Sequence, residues 1–479
     1  MRKQERICGD RHRGVAGRDG ANGLAEDSFS LGARNSHSAE SGPSIPRKYL
    51  GMLWGNQIVA TMNSHGRDRA GRKGRGKVWA SAVGIFLASV AVTSLFWLAL
   101  PAGMRPSQGS VYPAFYEPVA RNILKGSGLV LPGGGPALRY PPGYPLLVAG
   151  ALGTARLTGI SESTILAVLA LASAGVASTL IFLFSYDSWG MRGGWISGLL
   201  FATYPFLLWL TKQPNSESPF LVFLVGSVYA FWLGFSHSKH AVLLFALSGA
   251  LVGIAMLIRP IAVGVGFLLA GIVLCASQSP LRRRLLLAFV LLVANLVVLL
   301  PWEGWAHGAT GQWIPLSTGG VPSIRDGLTF SVENKGYRSQ IPTSPDVLRL
   351  ERDLAERLSP TTSFDALVRV IVQVSVDQPG TVAKLLLMKA ARSWYATDSG
   401  TMETPALLLQ AGYLSLFVAS TALLWRRRVA LRMLAVIVWL NVIYFWLITT
   451  TVLSIVRYMT PVLGLCFLFP PAIFRSRQA

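Results

Sequence analysis

Ten stretches of the chain are apolar enough to be read as membrane helices, near 78–100, 163–185, 193–211, 218–236, 241–258, 260–278, 285–302, 405–425, 430–452 and 458–474. A helix needs about 20 mostly apolar residues to cross a ~30 Å hydrocarbon core. The stretch 144–157 falls short of that length and ends on Arg156, so it is expected to be re-entrant or interfacial. Two further patterns are amphipathic, one near 345–357 (Asp346, Leu348, Leu350, Leu354, Leu358) and one at 364–395. Both are expected to form helices lying against the membrane face. Residues 1–77 have no sustained apolar period and are rich in Gly, Arg, Ser and Asp. They cannot bury enough apolar surface to offset their ordering entropy, and are expected to be a disordered basic tail. Such a tail would touch anionic headgroups, but the simpler expectation is that translation begins at Met62, whose sequence runs straight into the first span.

Composition agrees with this pattern. The 479 residues are 52% hydrophobic and 14% charged, with a mean hydropathy of +0.46. A soluble domain carries about 25% charged residues. An ordinary cytosolic enzyme, a disordered scaffold and a disulfide-stapled secreted domain are therefore excluded. The net charge of +22 suggests nucleic acid only until its distribution is considered. Fifteen of the 44 Lys and Arg residues lie in the first 77 positions, and many others flank apolar segments. Lys and Arg collect on the cytoplasmic side of a membrane protein, so no nucleic-acid partner is expected. With the segment before Val78 placed inside, the clusters at Arg282–Arg284 and Arg426–Arg428 also fall inside, provided 144–157 does not cross. The expected organisation is a membrane module over 78–302 with a first external loop at 101–143, an external segment at 303–404, and C-terminal membrane helices over 405–479.

Candidate chemistry collects on the external side. Between Pro101 and Gly159 the only carboxylate is Glu117, four residues before Arg121 on one helix face. The segment Arg139-Tyr140-Pro-Pro-Gly-Tyr-Pro145 marks the chain's return to the membrane, with Arg139 and Tyr140 at headgroup level. Glu217, Arg259 and Arg457-Tyr458 each sit at the external end of a span. Such residues anchor a span by snorkelling, or surround a pocket for an anionic headgroup, because a guanidinium grips phosphate with a planar fork of donors. Cys8, Cys275 and Cys466 are scattered, and three of the six His lie in the tail, so neither a disulfide framework nor a histidine metal centre is expected. No Walker loop, dinucleotide fingerprint or Gly-x-Ser-x-Gly elbow is present.

The order of these segments resembles the bacterial membrane glycosyltransferases of the GT-C class, family 39 and its relatives, which include protein mannosyltransferases. The resemblance runs from Val78 to Phe474 and is carried by Tyr116–Gly128, Arg139–Pro145, Asn215–Phe220, Leu257–Pro260, Pro301-Trp302, Gly311–Gly320 and Arg457–Pro461. It implies an all-α polytopic fold of about ten membrane helices with two large external loops, in the inner (cell) membrane. It also implies transfer of a sugar from a polyprenyl-phosphate carrier to a glycan, lipid or protein acceptor at the periplasmic or outer face, with inversion. Carried over residue by residue, Glu117 becomes the catalytic base and Glu217 a second carboxylate that orients groups or holds a divalent cation. Arg259 and Arg457 contact phosphate, and Tyr116, Arg139, Tyr140, Trp302 and Tyr458 line the substrate site. No certain cofactor follows, and membrane lipid is a further partner.

Two departures stand out. Where the family carries an Asp shortly before the tyrosine matching Tyr116, this chain reads Ser-Val-Tyr-Pro-Ala. Trp305-Ala-His307 stands where an Arg-Asn pair often follows Pro-Trp. The alternatives are a transporter or lipid flippase, and a GT-C relative that has lost catalysis.

Overall fold

The computed structural model describes residues 72–104, 111–236, 239–277, 279–333, 341–359 and 363–474. Nearly all of the expected tail, including Met62, lies outside the described residues. Among the described residues the chain is helical, apart from turns and one isolated bridge between Val130 and Pro136. The first helix, α1 (Arg72–Ala99), starts inside the stretch expected to be tail.

A π-turn at Tyr112–Tyr116 leads into α2 (Glu117–Leu124). Then follow α3 (Gly143–Thr158), α4 (Glu162–Trp189), α5 (Met191–Ala202), α6 (Pro205–Thr211) and α7 (Glu217–Ser236). After them come α8 (Ala241–Ile258), α9 (Val265–Ala276) and α10 (Leu281–Thr310). Among the described residues of the long segment before the last spans are five helices, α11 (Gly320–Leu328), α12 (Phe330–Glu333), α13 (Pro345–Leu358), α14 (Phe364–Asp377) and α15 (Pro379–Arg392). Those spans begin with α16 (Glu403–Arg427), α17 (Arg432–Thr451) and α18 (Val456–Leu463), and the described chain ends with α19 (Pro471–Phe474).

Among the described residues, eight helical segments are long and apolar enough to cross a membrane, or up to nine if the bent pair α5/α6 is one span. The expected number was ten, and proline accounts for the difference. Tyr204 is extended because the ring of Pro205 excludes a helical residue before it, and the two halves meet at 54°. Pro260 opens the expected span 260–278 with a short 3-10 turn, leaving a helix of only 12 residues at α9. In contrast, Pro301 does not end α10, which continues to Thr310 and stops at Gly311 in a left-handed conformation (φ 70°). The segment at 144–157 is the 16-residue α3 and does not reach spanning length.

Close packing between spans relies on small residues. Gly249 and Gly253, four apart on α8, face α10 so tightly that a Cβ on Gly249 would collide with the carbonyl of Leu291, and one on Gly253 would come 2.8 Å from Val298. Small residues at this spacing let helix backbones approach where lipid removes most of the hydrophobic drive for association. An aromatic cluster of Phe201, Tyr204, Tyr413, Phe417 and Phe467 joins the bent pair to α16 and the C-terminal span. There the Tyr204 hydroxyl donates to Gln410 Oε1 at 3.0 Å.

The amphipathic patterns form helices that share apolar contacts, while Phe364, Val368, Val372 and Val376 on α14 and Leu387 on α15 stay exposed. Leu328, Val347, Leu350, Leu354, Leu358, Leu367, Val374 and Leu385 make a separate core among α11, α13, α14 and α15. The pattern at 364–395 is divided between α14 and α15, because Pro379 starts a new helix.

Candidate functional site

Three helix ends meet at one end of the bundle. Helix α7 starts at Glu217, with the Asn215 side-chain carbonyl accepting from Ser218 N at 3.2 Å in the manner of a helix cap. Helix α8 ends at Arg259, whose extended backbone (φ −145°, ψ 120°) is what a residue before proline adopts. Helix α18 begins at Val456, one residue before Arg457. The Arg259 guanidinium Nη1 donates to Ser216 Oγ at 2.9 Å and lies 2.7 Å from Glu217 Oε1. Arg457 Nε lies 3.1 Å from that same oxygen, and Arg457 Nη2 lies 3.3 Å from Asp398 Oδ1.

The Glu217 side chain is only 4% exposed, so its charge needs the cations beside it. One buried carboxylate thus serves two guanidinium groups, while the second carboxylate, Asp398, is more than half exposed. The positive charge is incompletely compensated on the buried side. The Tyr458 ring lies under both cations, 4.8 Å from Arg259 Cζ and 5.3 Å from Arg457 Cζ.

The first loop supplies a wall of aromatic rings. Tyr116 packs 5.4 Å from Tyr140 and 4.7 Å from Tyr144, and Phe115 lies 5.0 Å from Tyr140. Burial pushes the Tyr116 phenol up to about 12 against the opposing pull of Arg259 and Ser216, so it stays a neutral hydroxyl. Burial does the same to Tyr112, also to about 12, with Glu117 adding to the rise. Arg139 sits 5.6 Å over the Tyr140 ring and adds a third guanidinium to this end.

Glu117 and Tyr116 are consecutive, yet they serve different clusters. Glu117 Oε1 accepts from Arg121 Nε at 2.9 Å and Nη2 at 2.7 Å, which is the ion pair that the four-residue spacing implies. Arg121 also donates to both oxygens of Glu162 at the start of α4, at 3.1 and 2.7 Å. Both of its carboxylate partners hold the Arg121 guanidinium above its ordinary value. Glu117 Oε2 has no hydrogen bond among the described residues, and no ion pair joins Glu117 to Arg259 or Arg457 there. The carboxylate expected to converge with the arginines is instead paired with Arg121, which also holds Glu162.

Trp302 is buried on α10, stacked on Trp305. Its indole N–H donates to Leu316 O at 2.8 Å, while Leu316 N donates to Glu303 Oε1 at 2.8 Å. These two bonds hold Leu316 in a left-handed conformation (φ 59°) that a branched side chain disfavours. The loop so fixed reaches the Arg139 turn, where Thr318 N donates to Leu138 O at 2.9 Å. Among the described residues, no group of three His, Cys, Asp or Glu is placed to share a metal ion. Glu217 is engaged through one oxygen by Arg259 and Arg457.

Glu217, Arg259, Arg457, Tyr116, Tyr140 and Tyr458 are brought together from five separate stretches of sequence. Ser216, Tyr144 and Asp398 were not anticipated. Ser216 and Tyr144 lie inside motifs already singled out, whereas Asp398 sits in a loop with no local signal.

Residues 140–305 match the sequence model of the dolichyl-phosphate-mannose-protein mannosyltransferase family. That stretch contains Tyr140, Glu217, Arg259 and Trp302. Among solved structures, the chain is similar to the oligosaccharyltransferase of Archaeoglobus fulgidus in its apo form, with a TM-score of 0.50 and 13% identity over 81% of this chain and 50% of that one. The oligosaccharyltransferase AglB from Archaeoglobus fulgidus, in complex with an inhibitory peptide and a dolichol-phosphate, gives a TM-score of 0.48 at 13% identity, over 82% and 50%. The chain spans about half the length of these structures. No curated protein gives a significant match. The resemblance drawn from the sequence motifs is borne out, and the fold is an all-α membrane bundle of GT-C type.

Proposed function

We propose that the chain is a membrane glycosyltransferase that moves a sugar from a polyprenyl-phosphate-linked donor to a hydroxyl on a glycan, lipid or protein. The observation that carries this reading is the Glu217 carboxylate shared by Arg259 and Arg457, with the remaining guanidinium donors available for a phosphate. A lipid-linked phosphate arrives at the membrane boundary, and this cluster stands where helix ends meet. The family matched over 140–305 is named for a dolichyl-phosphate-linked donor, which supports the same donor class.

In this mechanism the acceptor oxygen attacks the anomeric carbon from the face opposite the phosphate. The carbon–oxygen bond to the phosphate breaks, the configuration inverts, and polyprenyl phosphate leaves with the bonding electrons. Arg259 and Arg457 stabilise that leaving charge, and preorganised donors at developing charge are among the largest catalytic effects. Glu117 Oε2 takes the acceptor proton, while Arg121 fixes the other oxygen. Glu217 orients the two guanidinium groups. With the bent pair α5/α6 and the shorter apolar stretch Pro260–Ala276 each crossing, the positive-inside arrangement supports a reaction at the periplasmic or outer face of the cell membrane.

The test uses labelled lipid-linked sugar and membranes containing the full chain. Glu117→Gln is expected to lower transfer by roughly 10²–10⁴-fold with expression intact. Arg457→Ala is expected to lower it by roughly 10²–10³-fold and to weaken binding of the carrier phosphate. Undiminished transfer by Glu117→Gln removes that residue from the mechanism. Carrier binding without any transfer by the unaltered chain favours a relative that has lost catalysis, a reading motivated by the absent Asp before Tyr116.

A further inference from the structure

The long segment between α10 and α16 contains a buried lysine that the mechanism above does not use. Lys389, on α15, is 2% exposed. Its Nζ donates to the carbonyl of Gly327 at the end of α11 and, at 2.8 Å, to the carbonyl of Val452 at the end of α17. These carbonyls belong to elements more than a hundred residues apart. The backbones there are so close that a Cβ on Gly327 would run into the Val452 oxygen. No side chain could fill that seam, and only a long donor from the side reaches both acceptors.

Val452 opens the short passage that carries the chain from α17 to Arg457. The far end of the passage is tied to the same segment. Val456 N donates to Ala396 O at 2.9 Å, Ile455 is fully buried against Tyr395 and Ala396, and Arg457 pairs with Asp398. Tyr458 and Leu453 pack against that small core. Lys389, Ala396 and Asp398 thus act from one continuous stretch of chain. That stretch is itself held to α17, because Trp446 Nε1 donates to Ala390 O at 2.8 Å.

We propose that Lys389 is a positioning residue for phosphate binding. By joining Gly327 O to Val452 O, it fixes the passage whose next residues are Arg457 and Tyr458. This rests on the reading of Arg457 as a phosphate contact. Burying an ammonium group is expensive, and a buried lysine whose work was confined to filling space would be better replaced by methionine or leucine. A donor bridging two main-chain acceptors beside the arginine meets that cost with a structural return that an apolar residue cannot provide.

The test is a double-mutant cycle on the full chain in lipid nanodiscs, read as the Kd for a fluorescent polyprenyl monophosphate. Lys389→Met keeps the stem and removes the donors. It is expected to weaken binding roughly tenfold, the effect of about one lost buried hydrogen bond. In an Arg457→Ala background the same change is expected to cost little more, because its route to the ligand is already gone. An unchanged Kd, or a loss that adds in full to that of Arg457→Ala, overturns the proposal, since a lysine that only supports the fold acts independently of Arg457. If Lys389→Met does not fold, Gly327→Ala displaces the same passage with the lysine intact, and it is read by the same criterion. Failure of the unaltered chain to bind the phosphate overturns the functional reading and this inference together. Binding with an additive cycle overturns this inference alone.

Discussion

Glu217 offers a single oxygen to two arginines, and that geometry makes it the most exposed single point of failure in the site. Glu217→Gln keeps the shape of the side chain but leaves both guanidinium groups without their shared counter-charge. Breaking a buried pair from one side typically costs about 3–5 kcal/mol, so the variant is expected to unfold in detergent at markedly lower temperature than the unaltered chain. Equal melting temperatures would mean that water or lipid headgroups screen the arginines. The membership of this cluster was largely legible. Glu217, Arg259 and Arg457 are ionisable residues at the ends of apolar runs, where burial demands partners. Their pairing was not legible, since Ser216 and Asp398 enter only through the fold. Glu117 was legible as a partner of Arg121 from four-residue spacing, whereas Glu162, which completes that group, is 41 residues from Arg121.

Helices meet the site only as accurately as their neighbours hold them, and for Arg259 the holding element is the glycine seam on α8. Gly249 and Gly253 lie against the backbone of α10, and Asn295 Nδ2 reaches Gly249 O at 3.4 Å. Gly249→Val inserts a branched side chain where the nearest obstacle is main chain, which cannot rotate away. The expected loss is about 1–3 kcal/mol of stability, accompanied by weaker carrier-phosphate binding as the end of α8 moves. Thermal unfolding and the same Kd measurement check both parts, and a variant with unaltered melting and binding would mean that the two helices are free to separate. The small-residue spacing was present in the sequence as Gly-Ala-Leu-Val-Gly but gives no hint of which helix it faces. Span counting was subject to a similar limit. Apolar runs revealed where helices are, yet hydropathy does not register that Pro205 bends one and Pro260 shortens another, while Pro301 interrupts nothing.

Across the whole molecule, a lipid-dissolved bundle carries a segment with its own apolar core, and that core also buries charge. Glu351 is 1% exposed, with Ser331 Oγ donating to one carboxylate oxygen at 3.2 Å and the other oxygen buried without a hydrogen bond among the described residues. Burial pushes this carboxyl up to about 7, against the pull of Ser331, Lys389 and Arg392. Burial brings Lys389 down to about 7, opposed by Glu351. A carboxyl whose folded value is raised gives stability that is complete below its unfolded value of about 4.3 and is lost as pH rises through about 7. A lysine with a lowered value acts in the opposite sense, its contribution being present at high pH and lost as pH falls through about 7. The two trends meet near neutrality, where this segment is expected to be at its least stable. Glu351→Gln removes the first trend, so the decline between pH 5 and 7 should flatten by up to about 3 kcal/mol. Limited proteolysis across that range, read at the α13–α15 helices, measures it. A decline that persists in the Gln variant would assign the pH dependence to groups outside the Glu351–Lys389 pair.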